Sequence, residues 1–156
     1  MKTNKKSLIV AVALPLAVGG LSALITGGAM KDFANINQPP LSPPGWLFPI
    51  AWTILYILMG VASWLIFVSK APYQKKNNAL VLYAMQLFFN FFWSIFFFKL
   101  NLYTFSLIWL IALLVLIIAT AVKFKKISNT AFGLIVPYIL WVCFACYLNL
   151  GVAILN

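Results

Sequence analysis

The sequence contains no histidine and no arginine, and its only acidic side chain is Asp32. These absences close off most enzyme chemistry. One acid cannot supply a carboxylate pair for general acid–base work. Without histidine there is no Ser-His-Asp triad and no zinc site of the usual ligands, so no metal is expected. Proton-coupled transport normally needs ionisable side chains within the membrane, and the long apolar stretches of this chain hold none. No glycine-rich phosphate loop is present. The two cysteines form Cys143-Phe144-Ala145-Cys146. In a soluble protein this spacing suggests redox chemistry. Inside an apolar helix it reads as packing, because buried cysteine behaves as a small hydrophobe.

Charge is scarce as well. Only 8% of residues are charged and 65% are hydrophobic, whereas soluble domains carry about 25% charged residues. Five apolar stretches account for the difference, at about 8–27, 46–69, 79–98, 102–122 and 131–155. Each reaches the ~20 residues that a helix needs to cross a bilayer. Helices satisfy their own backbone hydrogen bonds in lipid, and a barrel would show short alternating segments instead. The expected fold is all-α: a polytopic five-helix transmembrane bundle, one domain over 1–156.

The net charge of +10 does not point to nucleic acid, because the lysines are distributed by topology. Lys2, Lys5 and Lys6 precede the first stretch. Lys70, Lys75 and Lys76 lie between the second and third, and Lys123, Lys125 and Lys126 between the fourth and fifth. If every stretch crosses, these nine share one side, and Lys31, Asp32 and Lys99 share the other. The positive-inside rule puts the N-terminus and both basic loops in the cytoplasm and the C-terminus outside. A bacterial cytoplasmic membrane is the expected setting, and the basic loops suit anionic lipid head groups. The first stretch is long for a signal peptide and has no good small-x-small site before Gly27, so it is expected to stay as a span.

No internal repeat is visible, which argues against an inverted-repeat transporter. The first span carries Pro15, Gly19-Gly20 and, at its end, Gly27-Gly28. Glycine permits close helix approach and proline a kink. The fourth span, Leu102 to Val122, lacks both and reads as a lipid-facing wall. The longest connection, Gly28 to Gly45, contains Pro39, Pro40, Pro43 and Pro44 just before Trp46. Such a segment cannot be regular helix. It is either a stiff lid over a cavity or a plain helix stop.

Helical spacing then sorts the polar and aromatic side chains. Phe48, Trp52, Tyr56, Met59 and Ser63 share one face of span two. Tyr83, Gln86, Asn90, Trp93 and Phe97 share one face of span three, and Tyr138, Trp141, Ala145 and Asn149 one face of span five. Amides are costly in hydrocarbon unless partnered, so these faces should turn toward one another. On one reading the amides bond across helices, the rings fill volume, and Trp46, Tyr73 and Tyr103 form interfacial belts. On the other, the rings sandwich a flat apolar ligand whose polar edge is oriented by Gln86, Asn90 and Asn149.

At these residues the chain resembles the tryptophan-rich sensory protein/translocator protein (TspO/MBR) family, the peripheral-type benzodiazepine receptor family. Three segments carry the resemblance in order: Pro39 to Tyr56, Gln86 to Ser94, and Pro137 to Asn149. The resemblance implies a five-helix bundle, commonly a homodimer, that binds porphyrins and in some members sterols or benzodiazepine-type drugs beneath the first loop. Carried over, the pocket would use Trp52, Tyr56, Asn90, Trp93, Trp141 and Ala145. Leu41 stands where members often have tryptophan. No lysine or arginine follows Tyr147, so sterol binding by the C-terminal motif is not expected.

The leading expectation is an integral membrane receptor, sensor or carrier for a tetrapyrrole such as protoporphyrin, with no obligatory cofactor. Trp52, Trp93 and Trp141 would stack on the disc, and amide donors or Lys31 at the rim would meet its carboxylates. A second reading is light- or oxygen-dependent porphyrin degradation, with Trp52 and Trp141 as redox-active rings. A third is a scaffold without a small-molecule ligand, which requires a solidly packed interior. For the homodimer, the small-residue stripe of span one and the aromatic span three are both candidate faces.

Overall fold

The computed structural model describes residues 2–156, with the side chains of 2–4, 30 and 31 left out. Its helices are α1 (Lys2–Thr26), α2 (Ala29–Phe33), α3 (Leu47–Phe67), α4 (Tyr73–Ser94), α5 (Tyr103–Lys125) and α6 (Asn129–Leu155). A π-helical stretch, Ile95–Lys99, extends α4. No strand occurs among the described residues. Five helices are long and apolar enough to span a membrane, all but the short α2.

Local chemistry sets the ends. The four prolines stop before α3, and Ser69 Oγ and Lys76 Nζ close its other end. Ser69 donates to Ile66 O at 2.8 Å, and Lys76 to Phe67 O and Ser69 O at 3.0 and 3.2 Å. A cation on the last carbonyls also complements the helix dipole. Pro72 (φ −55°, ψ 143°) is extended and launches α4 at Tyr73, so the third span begins six residues before its apolar run. The polar turn Tyr73–Asn78 is thus helical as well. Ser128 caps α6 by accepting from Ala131 N at 3.2 Å. Pro15 and Pro137 sit inside α1 and α6, where neighbouring helices tolerate them.

The spanning helices close a ring in the order α1, α3, α6, α5, α4. The predicted inward faces of α3, α4 and α6 meet inside it. Met59, Tyr83, Gln86, Asn90, Tyr138 and Asn149 are all buried there. α5 is the wall the sequence suggests: Leu110, Leu113 and Ile117 face inward, and Ile108, Ile111 and Val115 face out. α1 is held most lightly, with 11% of its apolar window buried against 33–39% for the others. Its crossing with α3 needs Gly60, where a Cβ would lie 2.8 Å from Ala11 O and 2.7 Å from Val12 Cα. Cys143 is exposed on the outer side of α6 and Cys146 half-buried, both as free thiols.

Candidate functional site

Trp52 is the hub of the interior. Its ring stacks on Tyr56 (centroids 5.7 Å apart) and touches Trp93 (6.2 Å), Tyr138 (6.1 Å) and Trp141 (6.4 Å). Behind the rings runs a chain of hydrogen bonds. Tyr56 Oη donates to Asn90 Oδ1 (2.8 Å), Asn90 Nδ2 to Tyr138 Oη (2.7 Å), and Tyr138 Oη to Gln86 Oε1 (2.7 Å). Asn149 forms a second node. Its Oδ1 accepts from Trp93 Nε1 (3.1 Å) and Ser106 Oγ (3.2 Å), and its Nδ2 donates to Tyr103 O (2.8 Å). Gln86, Tyr138 and Asn149 thus bind helix to helix, as the packing reading of the amides requires.

The open space lies on the other side of Trp52. A cavity of about 220 Å³ sits between α1, α3 and α4. Of the residues singled out from sequence, Phe48, Trp52, Tyr56, Asn90 and Trp93 line it. Trp141 and Ala145 instead border a void of about 20 Å³ beyond the Trp52 ring, room for about one water. Trp141 Nε1 is buried there without a hydrogen-bond partner. The Lys31 side chain lies outside the described residues.

The remaining wall comes from α1, through Gly19, Gly20, Ser22 and Thr26. Sequence reasoning treated this small-residue stripe as a candidate dimer face. Gly19, Ser22 and Thr26 are covered at the cavity wall, whereas Gly20, Ala23, Gly27 and Gly28 are exposed. Gly19 lies against the Tyr56 ring, leaving no room for a Cβ, whereas a Cβ on Gly20 would meet nothing within 4 Å. Ser22 fixes α1 in place through Ser94 Oγ (2.6 Å) and Phe91 O (3.2 Å).

The proline segment does not line the cavity. It is clamped to the end of α6: Tyr147 Oη donates to Pro40 O (2.6 Å), Asn156 Nδ2 to Asn37 O (2.8 Å), and Pro39 packs on Gly151. Pro43 and Pro44 precede α3, and Trp46 is 67% exposed. The residue that plugs this end is Phe33 of α2, among Phe48 (5.9 Å), Phe97 (5.7 Å) and Phe98 (5.4 Å). No sequence signal distinguished it from other apolar loop residues. No group of metal-binding side chains occurs among the described residues. The interior is not packed solid, since it holds the cavity of about 220 Å³.

Comparison with known proteins agrees with the five-helix fold. Residues 11–155 match the TspO/MBR family. A tryptophan-rich protein TspO of Chlorobaculum tepidum is 36% identical over 156 residues, covering 98% of this chain and 99% of its own. One of Archaeoglobus fulgidus is 31% identical, with 98% and 99% covered. The translocator protein of Bos taurus is 33% identical over 87% of this chain and 82% of its own.

Proposed function

The chain belongs to the TspO/MBR family, and from that premise we propose that it binds a tetrapyrrole such as protoporphyrin inside the membrane, as a sensor, carrier or regulator. One observation carries this reading: Trp52, with Phe48, Trp93 and Phe98, lines both the 220 Å³ cavity and the void at Trp141 and Ala145. The cavity alone falls below the ~300–1,000 Å³ usual for drug-sized ligands. The two spaces together still fall below that range, so binding requires the shared rings to part into one slot between aromatic walls. Trp93 and Trp141 then flank the disc. Trp141 Nε1, a donor without a partner, offers a hydrogen bond to its polar edge. The lysine-rich end, with Lys5, Lys6, Lys70, Lys75, Lys76, Lys123, Lys125 and Lys126, faces the cytoplasm.

Titration of the purified protein with protoporphyrin, followed by tryptophan quenching, tests the proposal. Gly20→Leu, on the cavity wall with open space at its Cβ, is expected to raise Kd about tenfold, ~1.4 kcal/mol. Trp52→Phe and Trp141→Phe should each cost about 1 kcal/mol, roughly fivefold. Unchanged affinity in Gly20→Leu and in the double tryptophan variant would overturn the assignment.

A further inference from the structure

We propose that a second site, at the lysine-rich end of the bundle, holds an anionic diacyl phospholipid in a groove between α1, α3 and α4. The groove encloses about 550 Å³ and is walled by Val10 and Leu14 of α1, Phe67 of α3, and Leu80, Ala84 and Leu87 of α4. It shares no lining residue with the Trp52 cavity, and the Gly60 crossing of α1 and α3 lies between them. The proposal therefore does not rest on tetrapyrrole binding.

Charge complementarity selects the occupant. Lys6 itself lines the groove, and Lys5, Lys70 and Lys75 are exposed at the same end. The only carboxylate side chain, Asp32, is at the opposite end. Lys76 is engaged with the α3 carbonyls, so Lys6 is the cation available to a phosphate in the groove. A head group without net negative charge gains nothing from this field, whereas an anionic one is drawn to it.

Depth gives a second, independent constraint. Tyr83 lines the groove, and its Oη is buried without a hydrogen-bond partner. Ser63, beside it on the groove wall, donates to Gly60 O at 2.8 Å, so its oxygen stays the competing acceptor that a lipid carbonyl would displace from the phenol. Gly60 is level with Ala11, and Gln86 with Met59. That alignment sets Tyr83 about one helical turn, ~5 Å, deeper than Lys6. In a phospholipid the glycerol ester carbonyls lie beneath the phosphate in the same sense. The geometry thus places the phosphate at Lys6, an ester carbonyl as acceptor for the Tyr83 phenol, and an acyl chain along Val10, Leu14 and Leu87.

Native mass spectrometry of the full chain from mixed vesicles tests this. The vesicles contain ester-linked phosphatidylglycerol, its ether-linked analogue and phosphatidylcholine in equal amounts. One ester-linked phosphatidylglycerol should be retained per chain, in preference to both competitors. Lys6→Gln should lower its retention about fivefold, the worth of one lysine near an anionic head group. Tyr83→Phe should abolish the preference for ester over ether. Ala84→Trp should empty the groove, and Gly20→Leu should leave retention unchanged while weakening protoporphyrin. Equal retention of phosphatidylglycerol and phosphatidylcholine overturns the proposal. So does a groove covered by a second copy, seen as efficient Val10→Cys cross-linking with no retained lipid. Lys6 is exposed, so Lys6→Gln decides the matter even if Ala84→Trp does not fold.

Discussion

Tyr138 accepts from Asn90 and donates to Gln86 in the buried chain that links α3, α4 and α6. Tyr138→Phe strands both amides. Interhelical hydrogen bonds in membranes average about 0.6 kcal/mol and reach about 1.7, and a stranded buried group costs about 1–3 kcal/mol. The expected loss is about 1–2 kcal/mol, read as a lower denaturation midpoint in mixed detergent micelles. Glycines separate in the same way. Gly60→Val pushes a side chain into the α1 backbone and should cost about 1–3 kcal/mol. Gly20→Leu meets open space and should leave the melting temperature nearly unchanged, so a thermal shift distinguishes the two. The three-to-four-residue spacing of amides and rings made the buried positions legible. It did not reveal that Gln86, Tyr138 and Asn149 are bonded behind the rings while Asn90 also reaches the cavity. Spacing gives the face of a helix, not the depth to which a side chain is covered.

Among the elements, α1 is the least buried of the spans and forms one wall of both the cavity and the lysine-end groove. Polar ties hold it at both ends: Ser22 to Ser94 at 2.6 Å and to Phe91 O at 3.2 Å, and Trp64 Nε1 to Ser7 Oγ at 3.0 Å. Ser22→Ala removes the first. A typical hydrogen bond contributes about 0.5–1.5 kcal/mol, so amide exchange over 16–26 should quicken by roughly twofold to tenfold while α6 stays protected. Equal acceleration in both helices would mean that α1 does not move as a separate element. The π-helical stretch Ile95–Lys99 directs Phe97 and Phe98 toward Phe33. Neither it nor the early start of α4 at Tyr73 could be read from hydropathy, because a helix that leaves the lipid changes its solvent and not its backbone.

For the whole molecule, the alternation of five spans gathers the lysine clusters at one end and the proline segment at the other. Orientation in the cell can be checked in a Cys143→Ala, Cys146→Ala background. A cysteine at Asn77 or Ser128 should react with an impermeant thiol reagent only after the membrane is opened. A cysteine at the 84% exposed Leu41 should react in intact cells. The reverse pattern would invert the topology proposed above.

The sequence by itself determined the solvent, the number of crossings, the inward faces and the family, because each follows from local composition and from periodicities of a few residues. Only the tertiary structure decided where empty space lies. It put the cavity beside Gly19 and Gly20 of α1 instead of between the rings of α3, α4 and α6. It also pinned the proline segment to α6 and made Phe33 the plug. Cavities arise where helices distant in sequence fail to fill one another's grooves, and no local pattern encodes that mismatch.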